Sequence, residues 1–248
     1  MDLKQFFEEN PKAALAFSGG VDSAWLLYAA VKYGAAVKAY YVRTAFQPQF
    51  ELEDVLRLAK DLGAEMQVLP LDILCSDRIT DNPPDRCYHC KKAIFGAILD
   101  AAKMDGFDLI LDGTNASDDA SDRPGMRALK ELAVRSPLRE CGLTKGEIRA
   151  LSKEAGLFTH DKPAYACLAT RIPTGEPITA EKLQRTEVAE RWLAALGLRD
   201  FRVRMQKGSA KLQVTASDLD TVIRCRERIV AELKQYYDSV TLDLEVRR

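Results

Sequence analysis

Ala13-Ala14-Leu15-Ala16-Phe17-Ser18-Gly19-Gly20-Val21-Asp22-Ser23 is the stretch on which the reading of this chain turns. Ala13 to Phe17 is a short apolar run of strand type, and a helical pattern follows from Ser23 to Tyr33. Between them, Gly19 and Gly20 let the backbone fold tightly and turn its amides inward. The helix N-terminus that follows offers unpaired N–H groups to an anion. Ser18 and Ser23 add hydroxyl donors, and Asp22 is placed to hold a magnesium ion that bridges phosphates. No Gly-Lys-Ser/Thr follows, so this is not a Walker loop. The plain alternative is a strand-to-helix turn that uses its glycines for geometry alone.

Moving outward, Ala36 to Val42 reads as a buried strand and Glu51 to Leu62 as an amphipathic helix stopped by Gly63. Glu65 to Leu71 is a third strand, Lys91 to Met104 a helix, and Phe107 to Leu111 a fourth strand ending at Asp112-Gly113-Thr114-Asn115. Thr144, with Glu147 three residues on, reads as a capping box. Strands separated by helices predict a parallel sheet covered on both faces, with ligands at the carboxyl ends of its strands. Val42, Gly113 and Thr114 stand at such ends. The proline- and glycine-bearing loop from Asp161 to Pro177 reads as a functional loop and boundary. The division predicted is 1–175 for an α/β nucleotide domain and 176–248 for a small α/β substrate-binding or oligomerisation domain. In the second domain the pattern is helix (179–196), strand (201–206), strand (210–215), helix (217–236) and strand (240–246), with Lys207-Gly208-Ser209 as a hairpin turn.

The 248 residues carry 36 basic and 37 acidic side chains, a net charge of −1, which argues against a general electrostatic grip on nucleic acid. A hydrophobic share of 47% provides for a packed core. The opening residues lack a signal-peptide core, and no apolar run reaches the roughly 18 residues of a membrane span. A cytoplasmic protein is expected.

Six cysteines in such a chain read as reduced, metal-bound or reactive. Cys87 and Cys90, in Arg86-Cys87-Tyr88-His89-Cys90-Lys91, stand three apart at a loop-to-helix junction, so that both sulfurs reach one metal centre. Cys167, in Ala166-Cys167-Leu168-Ala169-Thr170-Arg171, sits in a polar loop that argues for a site. A redox pair, or a zinc site completed by His89 or His160, stays open on these residues alone. Cys75, Cys141 and Cys225 read as small apolar fillers. Arg202 and Arg204 alternate on a strand and share one face, where two guanidinium groups grip a phosphate; the alternative is a solvated basic face.

The Ser18–Ser23 loop resembles the Ser-Gly-Gly-x-Asp-Ser signature of the PP-loop ATP pyrophosphatases, whose fold is that of adenine nucleotide alpha hydrolases. The resemblance implies ATP and Mg2+ bound by Ser18, Gly19, Gly20, Val21, Asp22, Ser23, Val42, Gly113 and Thr114, and cleavage to AMP and pyrophosphate. A closer likeness is to the ATP-dependent sacrificial sulfur transferase family (LarE), which serves the nickel-pincer nucleotide cofactor of lactate racemase. It is carried by the loop, by residues 86–91, by Asp112-Gly113-Thr114-Asn115 with Arg123-Pro124-Gly125, and by Ser136-Pro137-Leu138. Asp161-Lys162-Pro163, residues 167–171, Arg202-Val203-Arg204 and Val240-Thr241-Leu242-Asp243-Leu244 extend it to nearly the whole chain.

That family implies adenylation of a carboxylate of pyridinium-3,5-biscarboxylic acid mononucleotide and replacement of its oxygen by sulfur. In one variant a single cysteine surrenders its own sulfur and becomes dehydroalanine. In the other, three cysteines hold a 4Fe-4S cluster that carries an extra sulfide. Cys167 matches the sacrificial position, and Cys87 with Cys90 points to the cluster variant, with Cys87, Cys90 and Cys167 as ligands. Asp22 and Cys167 are the expected catalytic residues, and Arg171, Arg202 and Arg204 the expected contacts of the substrate phosphate. The partners implied are a small nucleotide and a sulfide donor, with no nucleic acid and no membrane, in a homo-oligomer. The rivals are a cluster-dependent tRNA thiolase, an ammonia-using synthetase of the same superfamily, and a non-enzymatic nucleotide sensor.

Overall fold

The computed structural model describes residues 1–118 and 124–247. Arg123 of the matched Arg-Pro-Gly stretch therefore lies outside the described residues, as does Arg248. The chain runs α1 (Leu3–Glu9), β1 (Lys12–Ala16), α2 (Val21–Lys32), β2 (Ala36–Arg43), α3 (Gln49–Leu62), β3 (Glu65–Pro70) and a single-turn α4 (Asp77–Thr80). It continues through α5 (Arg86–Met104), β4 (Ile110–Leu111), α6 (Pro124–Glu131), α7 (Pro137–Glu140) and α8 (Lys145–Glu154). Then follow α9 (Ala180–Ala195), β5 (Phe201–Gln206), β6 (Ser209–Val214), α10 (Leu219–Arg224), α11 (Arg226–Leu233) and β7 (Val240–Leu242).

Two compact units result. The first comprises residues 1–73 and 85–162, the second residues 74–84 and 163–248. The sequence placed its division at 175/176. Residues 163–175 join the second unit instead because their bonds run there: the Gly175 amide donates to Asn82 O, and Asn82 Nδ2 to Pro173 O at 2.7 Å.

The first unit is an α/β layer structure. Its four strands, in the order β3-β2-β1-β4, are all parallel, as the alternating pattern predicts. Successive side chains of one strand enter opposite layers. Leu15, Ala39 and Tyr41 pack with Leu58 and Leu111 on one side, and Ala14, Tyr40 and Val42 with Phe95 and Ile98 on the other. Burial on both faces is why these strands read as continuous apolar runs. β2 and β3 lie to one side of β1 and β4 to the other, so the chain reverses direction across the sheet between β1 and β4. Such a switch point opens a crevice at the strands' carboxyl ends. The α8 capping box is present as predicted, Thr144 and Glu147 exchanging side-chain to backbone bonds.

The second unit pairs β5 with β6 antiparallel and β7 with β6 parallel. Phe201, Val203 and Met205 face its core, with Leu212, Val214, Leu193 and Leu233 also buried. Several boundaries differ from the pattern reading, and β4 and β7 are shorter than the strands predicted at 107–111 and 240–246. The predicted helix 217–236 breaks at Cys225, where the backbone leaves helical geometry at φ −95°, ψ 8°. Helix α5 starts at Arg86, not Lys91, so Cys87 and Cys90 lie on the helix itself.

Candidate functional site

A cleft of about 330 Å3 lies at the carboxyl ends of β1, β2 and β4. Two glycines shape it. Gly19 has φ +71°, and a Cβ there would fall 2.6 Å from Val55 Cγ1. A Cβ on Gly113 would fall 3.0 Å from the Ser23 amide, so only glycine lets the end of β4 approach the start of α2 this closely. Ser18 and Ser23 hydroxyls stand 3.2 Å apart, and Ser23 Oγ also donates to Gly20 O. Of the residues expected at a nucleotide, Ser18, Asp22, Ser23, Val42, Gly113 and Thr114 line this cleft. Gly20 is the N-cap of α2, and Val21 turns its side chain into the core. Ile94, Phe95 and Ile98 of α5 supply an apolar wall suited to a flat ring.

Asp22, in the first turn of α2, accepts from Asn115 Nδ2 at 3.3 Å and from Lys145 Nζ at 2.5 Å. One carboxylate beside a phosphate loop fits magnesium, which binds through one or two carboxylates plus substrate phosphates and not a full protein cage. Buried Asp112 accepts from Thr114 Oγ1 at 2.5 Å and Ser136 Oγ at 2.6 Å, fixing the strand end and giving Ser136-Pro137-Leu138 its task. The sequence reading assigned no role to three lysines around this loop. Lys145 opens α8. Lys162 Nζ donates to Asp54 Oδ2 at 2.5 Å and lies 3.5 Å from Gly19 O. Lys91 lines the cleft one turn after Cys87. The capping box just before Lys145 and the quoted Asp161-Lys162-Pro163 were the available signals.

A second cleft, of about 380 Å3, shares Lys91, Thr114 and Asp118 with the first and is lined by Cys87. Cys87 is exposed and Cys90 half-buried, one turn apart on α5 and therefore on one face. Thiols are the donors an iron–sulfur cluster takes. Among the described residues, no three His, Cys, Asp or Glu side chains gather as a ready metal site.

In the second unit, half-buried Cys167 caps a 3-10 turn, Leu168–Arg171. Arg171 corrects an expectation. It is fully buried, pairs with Glu190 through Nε at 2.8 Å and Nη2 at 2.9 Å, and stacks on Tyr165 at 4.5 Å. Its Nη1 donates to Ala166 O at 2.8 Å and Thr170 Oγ1 at 2.9 Å. Burial, the largest single influence, opposes its charge, but the hydrogen bond and the charge of Glu190, with the neighbouring Tyr165 and Cys167, together outweigh it and raise its pKa. Fully buried, and with four of its five N–H groups committed in this way, it clamps the Cys167 turn and is not presented to a phosphate. A single partner removed from such a buried pair typically costs roughly 3–5 kcal/mol.

Arg202 and Arg204 share one face of β5, as expected. Arg202 is buried over Tyr165, and its Nη2 donates to Ala164 O; burial, then the charges of Arg171 and Arg247, pull its pKa down to about 10. Arg204 is lowered by the same causes. It bonds Gln213 Oε1 at 3.0 Å and Thr170 O, and lines a hollow of about 420 Å3 with Lys207 and Lys211. Positive groups crowded in this way favour an anion. Cys75 is exposed, not the apolar filler expected, while Cys141 and Cys225 are half-buried. No helix among the described residues is long and apolar enough to cross a membrane.

No protein-family model matches the chain. It is 36% identical to an uncharacterized protein of Synechocystis sp., over 98% of this chain and 92% of that protein. It is 31% identical to the pyridinium-3,5-bisthiocarboxylic acid mononucleotide synthase of Lactiplantibacillus plantarum, over 94% of this chain and 86% of that one. A more partial likeness, 28% identity over 61% of this chain and 54% of the other, is to the tRNA-specific 2-thiouridylase MnmA of Thermotoga petrophila. The loop between β1 and α2, the parallel sheet around it and a match running nearly end to end agree: the chain belongs to the LarE family of ATP-dependent sulfur transferases, within the PP-loop superfamily.

Proposed function

We propose that this enzyme adenylates a carboxylate of pyridinium-3,5-biscarboxylic acid mononucleotide and replaces the activated oxygen with sulfur. The observation that carries this reading is the 31% identity, over 94% of the chain, to the L. plantarum synthase. Two steps follow from its chemistry. A substrate carboxylate oxygen attacks the α phosphorus of ATP, and pyrophosphate leaves with the bond pair. A sulfur nucleophile then attacks the carboxyl carbon, and AMP departs with the original oxygen. The Ser18–Ser23 loop holds the phosphates, Val42 and the α5 wall hold adenine, and Asp22 holds Mg2+.

Cys87, Cys90 and Cys167 would be the three protein ligands of a 4Fe-4S cluster. With one iron lacking a protein ligand, such a cluster would supply a coordination position open to sulfide. Arg202 and Arg204 take the substrate phosphate, and Arg171 positions the Cys167 turn. The supply of sulfide from a separate donor and a homo-oligomeric assembly complete the proposal.

The MnmA likeness makes tRNA the rival acceptor. Arg204 decides between them. Losing one charge-assisted contact costs roughly 1.5–3 kcal/mol, so Arg204→Ala should weaken binding of the pyridinium mononucleotide about ten- to a hundredfold in calorimetry. Tight tRNA binding that falls steeply with salt, with no measurable binding of the mononucleotide, would overturn the assignment.

A further inference from the structure

We infer that Lys145 is a catalytic residue of the ATP step, the cation that receives the charge of the departing pyrophosphate. The inference rests on the reading of the cleft as an AMP- and pyrophosphate-forming site. Lys145 is the first residue of α8, and its backbone is fixed on both sides. The capping box of Thr144 and Glu147 sets the helix start, and the Lys145 amide donates to Ser117 Oγ at 3.0 Å. From that anchored root the side chain crosses to the phosphate loop and places Nζ 2.5 Å from Asp22 Oδ2. The two residues are 123 positions apart in sequence. An ion pair that merely stabilised α8 could use a carboxylate on a neighbouring turn; this one reaches the carboxylate at the mouth of the anion site.

The other lysines of the loop are placed differently. Lys162 is held by Asp54 and points at the Gly19 carbonyl, which ties it to the loop backbone. Lys91 lies on the side of the cleft lined by Cys87. Lys145 alone of the three pairs with the residue proposed to take magnesium. An ammonium on a flexible four-carbon stem carries three donors and can exchange one anionic partner for another. When Asp22 takes up a divalent cation, Lys145 turns from Asp22 Oδ2 to the phosphate oxygens just beyond it.

Its task there follows from the chemistry. As the substrate oxygen bonds to the α phosphorus, the bond from that phosphorus to the bridging oxygen breaks. The electron pair leaves with pyrophosphate, and Lys145 meets that developing charge. A donor that strengthens its hold as charge develops lowers the barrier more than it tightens substrate binding, and removal of such a donor typically costs about 10²–10³ in kcat.

The test is Lys145→Met, with Lys145→Gln in its place should the methionine variant not fold. Expected are a fall of about 10²–10³ in kcat for pyrophosphate release, a smaller change in KM for ATP, and an unshifted melting temperature. A second readout needs no turnover. Without its competing ammonium, Asp22 should bind magnesium alone more tightly than in the wild type, measured by calorimetry without nucleotide. A merely structural lysine would not move these two quantities in opposite directions. A near-wild-type kcat, or magnesium affinity unchanged or weakened, would overturn the role of Lys145. Release of ADP and phosphate by the wild type would instead overturn the reading of the cleft.

Discussion

Asp22→Ala is expected to abolish formation of AMP and pyrophosphate while leaving the fold intact. The carboxylate lies in the first turn of α2, faces the cleft and is only partly buried, so its loss removes a metal ligand and not core volume. Of its protein partners, Lys145 is partly exposed, and buried Asn115 holds it by one long hydrogen bond of 3.3 Å. Partly exposed ion pairs contribute about 0–1 kcal/mol, and in a chain of this size 1 kcal/mol moves the melting temperature by roughly 2–4 °C. Electrostatic positioning of a transferring phosphoryl group, by contrast, is worth about 10²–10³ or more in rate. The variant should therefore melt within a few degrees of wild type and release neither product in a coupled pyrophosphate assay. Undiminished pyrophosphate release would remove Asp22 from the reaction, and release of ADP and phosphate by the wild type would refute the cleavage between the α and β phosphates.

The second large effect concerns the thiols. Reconstituted without oxygen, the protein should bind about four irons per chain. Replacing Cys87, Cys90 or Cys167 singly by alanine should abolish iron binding and sulfur transfer together. Cys87 and Cys90 share a face of α5 beside the ATP cleft, and a sacrificial mechanism gives neither of them a task. If Cys87→Ala and Cys90→Ala stayed fully active while Cys167→Ala did not, Cys167 would be the sulfur source, and its loss of one hydrogen sulfide would appear in the protein mass.

The features legible in the sequence were local ones. The strand, double glycine and helix of residues 13–33, and the capping box of Thr144 and Glu147, are set by neighbours three or four residues apart. They appear in the structure where the pattern put them. What the sequence hid depends on distant partners. Arg171 looks like a phosphate ligand until Glu190, 19 residues on, is seen to take the Nε–Nη2 edge of its guanidinium inside the core. Lys145 looks like an ordinary first-turn residue until Asp22 is found at its tip. The early start of α5 escaped because Arg86 to Cys90 lacks the apolar period that marks Lys91 onward, and the break at Cys225 because an amphipathic pattern continues across it.

The most direct measurement is the mass of the nucleotide after anaerobic incubation of reconstituted protein with ATP, magnesium, sulfide and pyridinium-3,5-biscarboxylic acid mononucleotide. Exchange of a carboxylate oxygen for sulfur, matched by equal amounts of AMP and pyrophosphate and by intact cysteines, is the predicted result. An unchanged nucleotide, an amide in place of the thiocarboxylate, or sulfur appearing only in added tRNA would contradict it.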